Sequence, residues 1–334
     1  MLGVIVLHYN NGEIGGGFSH ASGSNLAILM ILESIFICAV NLYMLISGYF
    51  LCEKETRKLG KPLELLIQVM LFGLGFELLN ILLKRSEFSV KGIAFSLVPD
   101  NYFVILYLVC FMVSPYVNIL IKTLGKEKSR KMLFVLGGLF SLWPTMVDVF
   151  QEISKTQWLG LSSVGMQGSQ SGYTIVNFLL MYCIGAYLKQ YGKTDYKPAF
   201  LWGLFLLTTA GITLWAEVEN LGGAMGKTAW AYCSPLVIGE AVIIFLIFAR
   251  LEMGSNRVVN LLARGSFTVY LLHSAFLPFI QIPKFVQSSL PLMILHILLS
   301  VFGIYLICFV CYLIYEAITR PVFRWLNQHM NLQV

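Results

Sequence analysis

"NLAILMILESIFICAVNLYMLISGYFL", residues 25–51, is the stretch that decides the fold class of this chain. It carries a single charged side chain, Glu33. A helix rises about 1.5 Å per residue, so this stretch is about 40 Å long, whereas the hydrocarbon core of a bilayer is about 30 Å thick. The stretch is therefore long enough and apolar enough to cross a membrane as a helix.

The whole chain has the composition of a membrane protein. Of its 334 residues, 57% are hydrophobic and only 12% are charged, whereas a soluble domain carries about 25% charged residues. Too few polar side chains remain to cover a water-soluble particle of this size. The net charge of +6 does not argue for nucleic acid, because the placement of charges in a membrane protein matters more than their sum. We therefore expect no nucleic-acid partner.

Eight further apolar runs of spanning length follow the first one. They lie near 62–83, 102–121, 132–150, 173–188, 199–216, 229–249, 258–280 and 289–316. Residues 1–9 form a shorter apolar run, which covers only about 13 Å as a helix. We therefore predict an all-α integral membrane protein, a bundle of about ten transmembrane helices with the first one truncated at its N-terminus. The prediction gives one membrane-embedded domain, 1–334, and no appended soluble domain.

The loops between these runs alternate in charge. If the loop after residue 51 is cytoplasmic, sixteen of the 23 lysine and arginine residues lie on the cytoplasmic side and six on the other. Basic residues favour the cytoplasmic side of a membrane. The loop 151–172 is then predicted to face outwards. Its Trp158, Gln167 and Gln170 offer aromatic and amide surface suited to a sugar, although a plain solvated loop has the same composition.

Ionisable side chains inside apolar runs are costly and mark candidate functional sites. Helix arithmetic places His8, Glu33 and His273 in the outer half of the membrane. A hairpin between the first two helices predicts that His8 and Glu33 are neighbours. A histidine oriented by a carboxylate is the usual arrangement for general-base catalysis. The alternative is that each of these groups makes a hydrogen bond to a neighbouring helix, which is also our reading of Glu77, Glu240 and His296.

A second candidate site lies at the cytoplasmic end of the run 25–51, in "LISGYFLCEKETRKLGKP", residues 45–62. Ser47 and Gly48 are small and allow a helix or a ligand to approach closely. The basic residues that follow are Lys54, Arg57, Lys58 and Lys61. Basic side chains at a narrow entrance suit a substrate that carries phosphate, but a plain topology anchor has the same pattern.

Five stretches occur in an order and spacing that resemble a known family. They are "VLHYNN" at 6–11, "VNLYMLISGYFL" at 40–51, "LYLVCFMVSPYVN" at 106–118, "MYCIGAYLKQYG" at 181–192 and "GSFTVYLLHSAF" at 265–276. The chain resembles, over essentially its whole length, the integral-membrane acyltransferase 3 family. Members of that family O-acylate bacterial envelope polysaccharides.

The resemblance implies transfer of an acyl group, usually acetyl, from cytoplasmic acyl-CoA to a sugar hydroxyl. His8 matches the essential histidine of the family's first helix, and the basic residue that precedes it by about ten positions in the family falls before Met1. The family's arginines after the SGYF-like segment match Arg57, Lys58 and Lys61, with lysine at two of the three places. Lysine keeps the charge but loses the two-pronged hydrogen bonding of a guanidinium.

These comparisons give a set of expectations for the site. The catalytic residues are His8, Glu33 and His273, with His8 acting as base or as nucleophile and Glu33 or His273 orienting His8 or stabilising charge. The residues that bind the donor are Ser47, Gly48, Tyr49, Arg57, Lys58 and Lys61. We expect acetyl-CoA as donor, no permanently bound cofactor and no metal site, since the seven cysteines read as small buried side chains.

The expected partners are acyl-CoA, a lipid-linked or surface polysaccharide acceptor and membrane lipids, in the plasma membrane of a bacterial cell. The alternative function is a transporter or flippase for a lipid-linked sugar. It too would place ionisable groups within the membrane. The absence of a two-fold internal repeat in the sequence speaks mildly against it.

Overall fold

The computed structural model describes residues 1–99, 101–193, 195–251 and 254–329, and helices make up 76% of the chain. No strand occurs within those ranges. The helices are α1 (Leu2–Asn10), α2 (Gly17–His20), α3 (Gly23–Phe36), α4 (Ala39–Leu51), α5 (Gly60–Leu82), α6 (Val90–Ser96), α7 (Tyr102–Gly137), α8 (Trp143–Ser154), α9 (Ile175–Tyr191), α10 (Pro198–Leu221), α11 (Pro235–Ala249), α12 (Arg257–Phe276), α13 (Ile282–Val286) and α14 (Leu290–His329). The predicted all-α class is confirmed.

Five helical segments within the described ranges are long and apolar enough to cross a membrane. They are Gly23–Leu51, Gly60–Leu82, Tyr102–Ser154, Pro198–Leu221 and Leu290–Phe323. The chain is therefore a multi-pass membrane protein. All nine apolar runs of the sequence overlap helices, but the count of ten spans and the truncation of the first helix stay predictions.

The segment Tyr102–Ser154 is not one straight rod. Gly125 has φ 67° and ψ 179°, a conformation that breaks the helical path and that glycine adopts at little cost. A π-helical turn, Gly138–Leu142, joins α7 to α8. The break at Gly125 falls between the runs 102–121 and 132–150, where the sequence predicts a loop.

Helices α4 and α9 cross at very short range because glycine occupies both sides of the contact. A Cβ atom on Gly48 would lie 2.1 Å from the Tyr182 carbonyl oxygen, and one on Gly185 would lie 2.0 Å from the Leu45 carbonyl oxygen. Any side chain at these positions would push the helices apart. The pair forms the centre of the larger hydrophobic core, with Met44, Leu45 and Met181 buried around it.

Helix α1 is fixed against the last part of the chain through Tyr9. This side chain is fully buried, and its hydroxyl donates to His296 Nδ1 at 2.8 Å. His296 Nε2 in turn donates to the Ile280 carbonyl at 2.9 Å, and the Phe285 ring lies flat on the imidazole at 3.8 Å. Because His8 is the residue before Tyr9, these contacts also set its position.

Candidate active site

His8 and His273 form a hydrogen-bonded pair between α1 and α12. Nδ1 of His8 lies 2.7 Å from Nε2 of His273, and the two rings stack with their centroids 4.6 Å apart at 28°. His273 is almost completely buried, whereas His8 is half-buried. The structure thus brings together two side chains 265 residues apart, and of the two groups expected to orient His8 it places His273, not Glu33, in hydrogen-bond contact with it. We call them the histidine pair.

The surroundings of His273 determine which nitrogens of the pair carry protons. Nδ1 of His273 lies 3.0 Å from the Val269 carbonyl oxygen and 2.8 Å from that of Tyr270. A carbonyl oxygen only accepts, so this nitrogen carries a hydrogen and Nε2 of neutral His273 is an acceptor. Nδ1 of His8 must then donate. In neutral His8 this leaves Nε2 with a free lone pair, and no described residue lies within hydrogen-bond distance of it.

Glu33 lies on α3, which packs against α1, but its hydrogen bond goes to Asn10 and not to His8, so the structure does not contain the predicted histidine–carboxylate bond. The Glu33 carboxylate accepts from Asn10 Nδ2 at 2.9 Å, and the same amide nitrogen donates to the Leu29 carbonyl at 3.2 Å. Both side chains are buried. Asn10 lies two residues beyond His8, on another side of the helix, and that side faces the Glu33 carboxylate. Glu33 thus holds the end of α1 onto α3.

An aromatic cavity of about 260 Å³ lies between α4, α5, α7 and α12, and one of its walls, Tyr270, is one helical turn before His273. Its walls include Tyr43, Ser47, Phe103, Tyr107 and Tyr270. Tyr270 connects the cavity to the pair, since its carbonyl oxygen accepts the hydrogen bond of His273. We call this space the aromatic cavity.

Two cations border the aromatic cavity, Lys61 and Arg264. Lys61 pairs with Glu64 at 3.1 Å and Arg264 with Glu316 at 3.7 Å, and the side chains of both cations remain more than half exposed. Exposed pairs of this kind contribute little, about 0–1 kcal/mol, so both cations can exchange partners. The rim can therefore receive an anionic group.

The sequence model of the acyltransferase 3 family, described as an acyltransferase domain, matches residues 1–315. The chain belongs to the acyltransferase 3 family. No curated protein and no solved structure matched the chain in the other two comparisons. Family membership supports a membrane acyltransferase in general. The residues predicted to act in this acyltransferase can now be placed one by one.

Arg57 is buried, and its guanidinium donates all of its hydrogen bonds to groups of the protein. Its five N–H groups donate to five acceptors. Nε–H donates to the Ser114 hydroxyl at 3.0 Å. The Nη1 hydrogens donate to the carbonyls of Lys54 and Thr56, and the Nη2 hydrogens donate to the Leu51 carbonyl and the Tyr182 hydroxyl. A guanidinium has no further donor to offer. The acyltransferase therefore uses Arg57 to fix the loop after α4, and the expectation that Arg57 holds donor phosphates disagrees with this geometry.

The other predicted donor-binding residues separate into two groups. Ser47 and Lys61 border the aromatic cavity. Gly48 lies against α9, and the Tyr49 ring packs on Phe245 at 4.9 Å and under Lys189 at 5.1 Å. Gly48 and Tyr49 thus face the α9 and α11 side of α4 instead of the cavity. Lys58 is exposed and does not border the cavity.

Sequence reasoning did not select Arg264, Tyr43 and Tyr107 as candidates. Arg264 lies on α12, nine residues before His273, and a cation that starts an apolar run reads first as a topology anchor. The tyrosines had no distinguishing pattern among the chain's sixteen. Within the described ranges, no cluster of three histidine, cysteine, aspartate or glutamate side chains could hold a metal ion.

Proposed function

We propose that this protein transfers an acyl group, in the first place acetyl, from acetyl-CoA to a hydroxyl of a lipid-linked or cell-surface glycan, in the plasma membrane of a bacterial cell. The observation that carries the proposal is the free Nε2 of His8, held by His273 one helical turn from a cavity with a cationic rim. Membership of the acyltransferase 3 family supports the reaction class.

The donor enters this scheme through the aromatic cavity. Lys61 and Arg264 at the rim receive phosphate groups of coenzyme A, and the thin pantetheine arm lies along the aromatic walls towards Tyr270. Arg57 does not contact the donor in this scheme. It acts indirectly, because it fixes the loop that precedes Lys61. This assignment keeps the basic entrance of the sequence prediction but replaces Arg57 and Lys58 with Arg264.

In the proposed reaction, His8 acts as general base through Nε2. The acceptor hydroxyl gives its proton to this nitrogen while its oxygen attacks the carbonyl carbon of the thioester. The carbon–sulfur bond then breaks, and the coenzyme A thiolate takes the proton back from Nε2. During the step His8 carries a positive charge, and its Nδ1–H donates more strongly to His273 Nε2.

The test compares the full-length protein with His8→Ala in cells that lack the native gene. Acetyl esters on the surface glycan are counted by NMR, and transfer of labelled acetyl from acetyl-CoA is measured on purified protein. We expect the variant to lose activity by about 10²- to 10⁴-fold, the usual contribution of a general base. His20→Ala is the matched control, because His20 is exposed on α2.

Two outcomes would contradict the proposal. Unchanged acetylation by His8→Ala removes its catalytic role. Intact esters together with trapped lipid-linked glycan in that variant would favour the transporter instead.

A further inference from the structure

Helix α8 separates two spaces of opposite character on the side of the molecule predicted to face outwards. On one side lies a polar pocket of about 390 Å³, and on the other an apolar groove of about 480 Å³. The helix itself is amphipathic: Asp148, Gln151 and Glu152 border the pocket, whereas Met146, Phe150 and Ile153 border the groove. Neither space takes part in the donor path.

The polar pocket is lined by hydrogen-bonding groups suited to a sugar. Its walls include the amides of Gln157, Gln167 and Gln170 and the hydroxyls of Thr156, Ser171 and Thr228. Its charged groups are Asp148, Glu152, Lys155 and Lys227, which sum to zero, and both lysines pair with Glu152. A balanced pocket of this kind disfavours a polyanion such as a nucleotide and suits uncharged hydroxyls.

The floor of the polar pocket is held in an unusual backbone shape. Gln170 and Ser171 are consecutive non-glycine residues with φ of 53° and 52°. Such residues cost about 1–3 kcal/mol each and persist where the surroundings enforce them, often at ligand sites. Here the Asp148 carboxylate accepts hydrogen bonds from the Ser169 N–H, at 2.9 Å, and from the Ser169 hydroxyl. The Ser171 carbonyl accepts a hydrogen bond from the Tyr232 N–H at 2.8 Å. The floor is thus fixed in place.

A third cavity, of about 320 Å³, lies between the pocket and the groove. It shares Val149, Ile153 and Trp215 with the apolar groove. It shares Glu152, Lys155 and Thr228 with the polar pocket. The three cavities therefore lie side by side around the end of α8, from an apolar surface to a hydrogen-bonding pocket, and we call this series of cavities the path.

We propose that this path binds a saccharide linked to a membrane lipid, with the sugar in the polar pocket and the lipid chain in the apolar groove. A soluble saccharide would leave the groove empty, and a simple lipid would leave the pocket empty, so only an amphiphile uses the whole path. The role of this ligand as acyl acceptor rests on the proposed function. The binding site itself does not.

The site connects to the histidine pair through a short series of contacts. Trp230 follows the pocket residue Thr228 by two positions, and its indole N–H donates to the Ser34 hydroxyl at 3.3 Å. Ser34 is next to Glu33, which is bonded to Asn10, two residues from His8. The proposed binding site and the base therefore belong to elements that are hydrogen-bonded to each other.

The test is photolabelling of the full chain in lipid nanodiscs, without acetyl-CoA. The probe is N-acetylglucosamine β-linked to a farnesyl chain that carries a diazirine, and a farnesol diazirine without sugar is its control. Cross-links mapped by mass spectrometry should concentrate on Val149, Ile153 and Trp215. Val149→Trp fills the groove and should lower labelling about tenfold, as loss of one buried apolar contact predicts.

The matched control for the groove is Val310→Trp, since Val310 is exposed on α14, and it should change labelling by less than about twofold. Gln167→Ala should weaken labelling by the glycoside but not by the farnesol probe. Labelling spread evenly over exposed apolar helices, or unchanged by Val149→Trp, would overturn the inference even if acetyl transfer is found. Specific labelling without any acetyl transfer would instead contradict the proposed function alone.

Discussion

At the scale of single residues, His273 is the side chain with the least freedom in the candidate site. Its Nδ1–H is held by two backbone carbonyls one turn earlier in α12, and it is almost completely buried. Only its Nε2 is left, and that nitrogen faces His8. In the proposed reaction, His273 is therefore a positioning residue, which selects the tautomer of His8 and stabilises the positive charge that develops on it.

Replacing His273 tests this role. His273→Ala removes the acceptor for His8 Nδ1–H, so we expect kcat to fall by about 10²-fold while KM for acetyl-CoA stays the same. His273→Gln offers an amide oxygen to the same hydrogen and should restore part of the rate. Steady-state kinetics on purified protein measure both. A rise in KM at unchanged kcat would assign His273 to donor binding instead.

At the scale of elements, the crossing of α4 and α9 fixes the wall of the aromatic cavity. Gly48 and Gly185 bring the two backbones together, and this rotates Ser47 and Tyr43 of α4 towards the cavity. The loop after α4 is then closed by Arg57 and by Asn118, whose Nδ2 donates to the carbonyls of Leu51 and Lys54. Cavity shape thus depends on a helix contact that no substrate touches.

Gly48→Ala measures the importance of this crossing. The new Cβ would lie 2.1 Å from a carbonyl oxygen, so the helices must separate, at a cost of about 1–3 kcal/mol. We expect a lower melting temperature in detergent. Gly239→Ala is the matched control, because a Cβ at Gly239 in α11 meets no atom within 4 Å and alanine favours a helix. Equal melting temperatures for the two variants would show that the crossing tolerates a side chain.

At the scale of the whole molecule, the aromatic cavity and the polar pocket are approached from opposite ends of α4. The helix begins near Asn41, whose amide donates to the Tyr232 carbonyl beside the floor of the polar pocket. It ends at Leu51, in the loop that Arg57 fixes before Lys61. The thirteen residues of α4 separate these ends by about 20 Å. In the proposed reaction, the donor and the acceptor would therefore approach the histidine pair from different sides of the membrane.

Cysteine labelling in intact cells tests this orientation. Leu159 in the loop 151–172 and Lys126 near the break in α7 are both exposed. Since basic loops favour the cytoplasm, Leu159→Cys should react with a membrane-impermeant maleimide, whereas Lys126→Cys should react only after the cells are opened. The unmodified chain serves as background for its seven native cysteines. The reverse pattern would invert the topology and with it the direction of donor entry.

The sequence alone was sufficient for the helical class, because apolar run length and helix rise are local properties, and for the family, because five of its stretches occur in the expected order. The roles of His8 and His273 stay predictions. The sequence could not predict which side chains form hydrogen bonds with each other. Glu33 and His8 belong to adjacent helices, but α1 is oriented so that Asn10, and not His8, donates a hydrogen bond to the Glu33 carboxylate. Arg57, Lys58 and Lys61 form one basic cluster in the sequence, yet only the first is buried and fully bonded. Such differences depend on tertiary packing, which charge patterns do not encode.

The bond from Tyr9 to His296 has a consequence for the order in which the protein matures. A ribosome releases the first helix long before the last, and until residues 280–296 have been inserted the Tyr9 hydroxyl has no acceptor there. Neighbouring His8 is thus brought to its final place only after residues 280–296 have been synthesised and inserted. A chain that lacks those residues carries the imidazole without the contacts that position it.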